Sequence, residues 1–172
     1  MSEPTLIDRL AFNGTWRDYQ QRVLDEFAHH TSDRRLHLIA APGSGKTIVG
    51  LEMVRRLGRP ALVLAPTQTV RDQWLARLVP LFTPQAPCEP DVSRSLDQPA
   101  MLTVATYQAL HARAARSDGT GLTDLAADLC SSGQVTLVLD EAHHLRREWW
   151  EALRQLLVEL PEAHIVALTA TP

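Results

Sequence analysis

The stretch IAAPGSGKTIVG (39–50) decides how the chain folds. An apolar run, LHLIA (36–40), leads into a turn with two glycines, and a helical pattern, TIVGLEMVRRL (47–57), leads out of it. Strand, glycine turn and helix in that order form the setting of a phosphate-binding loop. Gly43 and Gly45 allow the backbone to turn successive N–H groups inward, and the helix N-terminus adds a positive dipole end. Lys46 is slim enough to reach β- and γ-phosphates from within the loop, and Thr47 offers a hydroxyl to Mg²⁺. Lys46 is the only lysine among 17 basic residues. An arginine fork is too bulky for that task, which accounts for the single departure from arginine. The strict pattern G-x-x-x-x-G-K-[ST] fails at Ala40, which stands in the first glycine's place.

Working outward, four more apolar runs follow: ALVLA (61–65), MLTVA (101–105), VTLVL (135–139) and HIVALT (164–169). All five runs hardly alternate with polar residues, which predicts parallel strands buried on both faces. Helical patterns occupy 16–30, 47–57, 68–79, 106–115, 122–130 and 147–160. In the third, Val70, Trp74 and Leu78 are spaced four apart; in the last, Trp149, Leu153, Leu156, Leu157 and Leu160 share one face. Strand alternating with helix predicts an α/β, doubly wound sheet. The stretch 80–99 carries five prolines and reads as a surface loop.

At 172 residues the chain is most simply one domain, able to bury roughly 70% of its unfolded surface. The net charge of −3 argues against a globally basic nucleic-acid coat and leaves room for a local basic stripe. No apolar run approaches the ~18 residues of a membrane span, and the first residues lack a signal-peptide pattern. The expectation is a cytoplasmic protein with no membrane partner. Cys88 and Cys130 have no metal-type spacing and read as reduced thiols.

A second chemical segment is LVLDEAHH (137–144). Asp140 falls at the carboxyl end of a strand, where open α/β sheets place their ligands. Its carboxylate can hold Mg²⁺ through water, and Glu141 can take a proton from an attacking water. His143 and His144 are adjacent, share no helix face and have no spaced Cys or His partner, so zinc is not the expectation. His143 is expected to act in the nucleotide site.

The order RDYQ, AAPGSGKT, LAPTQTVRDQW, TVATYQAL, VLDEAHH, LTATP resembles the N-terminal RecA-like domain of a superfamily 2 DEAD/DEAH-box helicase or translocase. The resemblance runs from about residue 12 to the end. In that family the loop commonly reads A-x-x-G-x-G-K-T, which Ala40, Gly43, Gly45, Lys46 and Thr47 match, with Pro42 and Ser44 between them. It implies a RecA-like P-loop NTPase fold, a mainly parallel sheet with helices on both faces, and ATP and Mg²⁺ as cofactors. Residues 1–30 would be a helical segment carrying an adenine-reading motif, and 31–172 the ATP-binding domain. Gln20 matches the glutamine that reads adenine, with Arg17 assisting; a side-chain amide can pair bidentately with N6 and N7. The resemblance assigns catalysis to Lys46, Asp140, Glu141 and His143, and Mg²⁺ to Thr47 and Asp140.

Pro66, Thr67 and Gln73 match the family's P-T-x-x-L-x-x-Q, with Val70 in place of leucine. The resemblance implies that Thr67, helped by Arg71, holds a nucleic-acid phosphate and that Thr106 does likewise; such contacts position a backbone and carry no sequence information. The lesser alternative for each threonine is strand-end capping. Thr169 and Thr171 match a motif linking nucleotide state to nucleic-acid grip, on a strand lying between the phosphate-loop strand and the DEAH strand.

The expected function is the ATP-binding first motor domain of a nucleic-acid-dependent ATPase. A second RecA-like domain, in cis or in trans, would supply arginine fingers worth about 10³–10⁵ in rate, so this chain alone should turn ATP over poorly. RDYQ and TYQAL lie closer to the DNA-translocase and restriction-motor branch, which favours DNA over RNA. Two other classes stand beside this one. A small-molecule P-loop kinase is poorly served by DEAHH and TAT, and a truncated or regulatory nucleotide-binding module would keep the loop without motor activity.

Overall fold

The computed structural model describes residues 5–83, 91–116, 120–131 and 133–170. The strands are β1 (Arg35–Ile39), β2 (Ala61–Ala65), β3 (Val92–Ser93), β4 (Leu102–Thr106), β5 (Thr136–Asp140) and β6 (His164–Thr169). They form one parallel sheet in the order β1-β6-β5-β2-β4-β3. The helices are α1 (Leu6–Arg9), α2 (Asp18–His29), α3 (Lys46–Leu57), α4 (Gln68–Phe82), α5 (Tyr107–Ala114), α6 (Gly121–Cys130) and α7 (Arg147–Glu159).

Alternate strand residues feed two cores. Val63, Val104, Val138, Val166 and Leu168 pack against α1 to α4, and Leu62, Leu64, Ala105, Leu137 and Leu139 pack against α5 to α7. Because both faces are covered, β2, β4 and β5 are buried at every position, as their unbroken apolar runs require. The fold is therefore α/β, with helices on both faces of a parallel sheet. β6 lies between β1 and β5, the place the resemblance implies.

β1 departs from the expected burial on both faces. Among the described residues it pairs only with β6, so it is an edge strand, and Ile39 is 57% exposed. The stretch read as a loop from residue 80 also differs. α4 continues through Pro80 to the buried Phe82, and β3 adds a short sixth strand. α4 persists because its last carbonyls find donors elsewhere: the amides of Ala11 and Asn13 donate to Phe82 O and Leu81 O at 2.8 and 2.7 Å. Residues 84–90 of that stretch, Cys88 among them, lie outside the described residues.

Register sets the site. Ile39 pairs with Thr169, Asp140 with Leu168, and Ala65 with Thr106. The loops after β1, β5 and β6 thus emerge side by side at one edge, next to those after β2 and β4.

Candidate functional site

The loop between β1 and α3 turns on two left-handed glycines, Gly43 at φ 74° and Gly45 at φ 88°. At Gly45 glycine is required twice, because a Cβ there would also stand 2.6 Å from Gln20 Nε2. Gln20 is buried on α2 with both ends of its amide engaged: Nε2 donates to Ser44 O at 3.2 Å, and Oε1 accepts from the Arg17 amide at 3.1 Å. Arg17 meets the site through this main-chain bond. The loop leaves one hydroxyl unsatisfied, since Ser44 Oγ is buried with no hydrogen-bond partner among the described residues. Tyr19 Oη, 3.7 Å from where a Gly45 Cβ would stand, is a second such orphan.

Lys46 opens α3 and is 9% exposed. Its Nζ donates to Ala40 O at 3.0 Å and pairs with Glu141 Oε1 at 3.1 Å. Glu141 is the one non-glycine residue at positive φ (51°) among the described residues, a conformation stored where the surroundings impose it. Those surroundings are visible: its amide donates to Leu168 O at 2.7 Å and its Oε2 accepts from the Ala170 amide at 2.9 Å. His143 Nδ1 stands 3.4 Å from the same Oε2. Burial pushes the Glu141 carboxyl up, but the Ala170 amide and the Lys46 ammonium together hold it below the ordinary glutamate value.

Asp140, one residue earlier, is 5% exposed and moves the other way. Burial raises its carboxyl, opposed by a hydrogen bond from Trp74 Nε1 to Oδ2 at 2.8 Å. Tyr107 donates its hydroxyl to the Asp140 carbonyl at 3.1 Å, and burial beside Asp140 and Glu141 drives that phenol strongly upward. Two adjacent carboxylates thus sit in opposed environments, one paired with a cation and one nearly sealed from water.

A cavity of about 250 Å³ joins these groups, lined by Gly43, Gly45, Lys46, Thr47, Asp140 and Glu141, with Pro42 at its rim. Val70, Gln73 and Arg77 of α4 form its remaining wall. Lys46, Thr47, Asp140, Glu141 and His143 therefore converge, with Gln20 against the back of the loop. Thr67, Arg71 and Thr106 stand apart from the cavity. Thr67 and Thr106 are helix N-caps, their hydroxyls accepting from the Val70 and Ala109 amides at 3.2 and 3.1 Å. Arg71 donates to Asp72 at 3.0 Å. Thr169 receives the Ala40 amide on its carbonyl at 3.1 Å, and Thr171 lies outside the described residues.

Trp74, Arg77 and Tyr107 are the site residues that patterning does not single out. Trp74 reads as one member of an apolar face; the signal that finds it is that a buried indole N–H needs an acceptor.

With this geometry in place, a family model described as type III restriction enzyme, res subunit, matches residues 13–172. The chain belongs to that family. This res-subunit-family chain is 32% identical over 163 residues to the putative helicase 055L of Frog virus 3, covering 91% of the chain and 33% of that protein. It is 26% identical over 157 residues to a putative DNA 3'-5' helicase Rad25 of Halobacterium salinarum, covering 91% of the chain and 23% of the relative. It spans no more than about a third of either relative's length. Among solved structures, the Hef helicase domain of Pyrococcus furiosus superposes with a TM-score of 0.63 at 22% identity, over 91% of this chain and 33% of that one. The chain thus has the fold of a helicase RecA-like domain, and no described helix is long and apolar enough to cross a membrane.

Proposed function

We propose that the chain is the ATP-binding first motor domain of a nucleic-acid-dependent ATPase, a helicase or translocase, with DNA preferred to RNA. The observation that carries this reading is the meeting of Lys46 with Glu141 at 3.1 Å, inside a glycine loop and beside Asp140. The residues suit the group they would hold. Gly43 lines the cavity in a left-handed turn with nothing within 4 Å of where its Cβ would stand, which leaves that side of the loop open to a phosphate. The Asp140 carboxylate and Thr47 hydroxyl are hard oxygen donors of the kind Mg²⁺ takes. Bound Mg²⁺ would neutralise charge on the phosphates. The DNA preference rests on the RDYQ and TYQAL segments and on the Rad25 relative's description as a DNA helicase.

The chain's own residues divide the work. Lys46 exchanges the Glu141 carboxylate for phosphate oxygens. Losing that ammonium raises the basicity of Glu141, which then accepts the proton of an attacking water on a carboxylate oxygen. Ala170 keeps the carboxylate aimed, and His143 supports it from the second oxygen. Residues 1–30 bring Gln20 and Arg17 to the adenine side of 31–172, and Thr169 and Thr171 link Glu141 to the nucleic-acid side. Thr67, Arg71 and Thr106 hold the nucleic-acid backbone; the two threonine hydroxyls keep their hydrogens free to donate while capping their helices.

A second RecA-like domain completes the active site. The test is ATP hydrolysis by the chain joined to such a domain, with and without DNA. Wild type should be DNA-stimulated, while Glu141→Gln should keep nucleotide affinity and lose turnover by roughly 10²-fold or more. Full turnover in Glu141→Gln would remove the proposed base.

A further inference from the structure

Asp140 is held from a direction that belongs to neither nucleotide segment. The indole of Trp74, on α4, donates to Asp140 Oδ2 at 2.8 Å, with the whole Trp74 side chain buried. We propose that Trp74 is the positioning residue for Asp140, its N–H fixing the orientation in which that carboxylate meets Mg²⁺. This rests on the nucleotide reading of the site given above.

Three features support it. An ordinary core position two helical turns into α4 would accept leucine or phenylalanine, but only tryptophan adds a donor at the far edge of a large apolar ring. The ring's seat is also built. Gly50 sits in the middle of α3, where glycine costs about 1 kcal/mol against alanine and no turn or positive φ calls for it. A Cβ at Gly50 would stand 2.6 Å from Trp74 Cη2 and 2.8 Å from Leu168 Cδ1, so the missing methyl is the space the indole occupies. Finally, α4 also carries Val70, Gln73 and Arg77 along the cavity wall and begins at Thr67. One rigid helix therefore spans the metal-side carboxylate, the cleft and the cap proposed to meet a nucleic-acid phosphate.

The test is titration of the 172-residue chain with a fluorescent ATP analogue, in Mg²⁺ and in EDTA, for wild type, Trp74→Phe and Lys46→Ala. Trp74→Phe keeps the ring and removes the donor. The affinity gained on adding Mg²⁺ should fall roughly tenfold, the worth of one hydrogen bond to a charged group, while affinity in EDTA stays at the wild-type value. A merely structural role would lower both or neither. An unchanged Mg²⁺ gain in Trp74→Phe, with binding weakened in Lys46→Ala, overturns this proposal alone. Failure of wild type to bind, or normal binding by Lys46→Ala, overturns the nucleotide reading and this proposal with it. Should Trp74→Phe not fold, the wild-type indole ¹⁵N–H resonance of Trp74, assigned through its contacts to Gly50 and Leu168, decides the matter. It should move on adding Mg²⁺ with nucleotide and in Asp140→Asn; a resonance unmoved by both overturns the pairing.

Discussion

Buried His164 starts β6, at the end of the sheet away from the glycine loop, with the Arg59 guanidinium against its ring. Burial, then the Arg59 and Arg34 guanidiniums, lower its imidazole from the ordinary value of 6.5. The folded chain refuses a proton that the unfolded chain accepts, so stability is lost as pH falls through the ordinary histidine range. His30 works with the opposite sign, raised by its hydrogen bonds to Asp33 and Glu26, so only a comparison isolates His164. Between about pH 8 and about pH 5, urea unfolding should cost wild type more stability than His164→Gln. Equal losses in the two proteins would show that His164 carries no such penalty. At this scale the sequence told which residues could carry charge or bind phosphate. It could not tell how Asp140 and Glu141 are driven apart, because their partners, Trp74, Ala170 and Lys46, arrive from three other elements.

Among the elements, α3 and α4 are the informative pair. Their apolar spacing marked both as helices, and Trp74 and Leu78 are buried as that spacing requires. Where α4 ends was not legible, since Pro80 reads as a breaker unless the Ala11 and Asn13 amides are known to satisfy the helix's last carbonyls. Nor was the edge position of β1, whose apolar run looks the same as those of the central strands. Strand order decides exposure, and order is a property of the assembled sheet. Gly50 gives this scale its own prediction. Alanine for glycine inside a helix normally gains up to about 1 kcal/mol. Here the methyl would meet the Trp74 ring and Leu168, so Gly50→Ala should lose roughly 1–3 kcal/mol, read as a lower thermal midpoint. A rise in the midpoint would mean that the indole does not fill that space.

For the whole molecule, the order of six motifs along the chain made the fold legible, because a parallel sheet brings every strand's carboxyl end to one edge whatever lies between. The glycine loop after β1, the Asp140–Glu141 segment and the end of β6 meet there, as the order of the motifs implied. The wall formed by α4 came only with the packing of its helix across α3. The most direct measurement of the proposed function is calorimetric titration of the 172-residue chain with ATP in Mg²⁺, wild type beside Lys46→Ala. Wild type should bind, and Lys46→Ala should bind roughly tenfold to a hundredfold more weakly, the loss of a charged partner for phosphate. Equal affinity in the two proteins would contradict a nucleotide site at this loop.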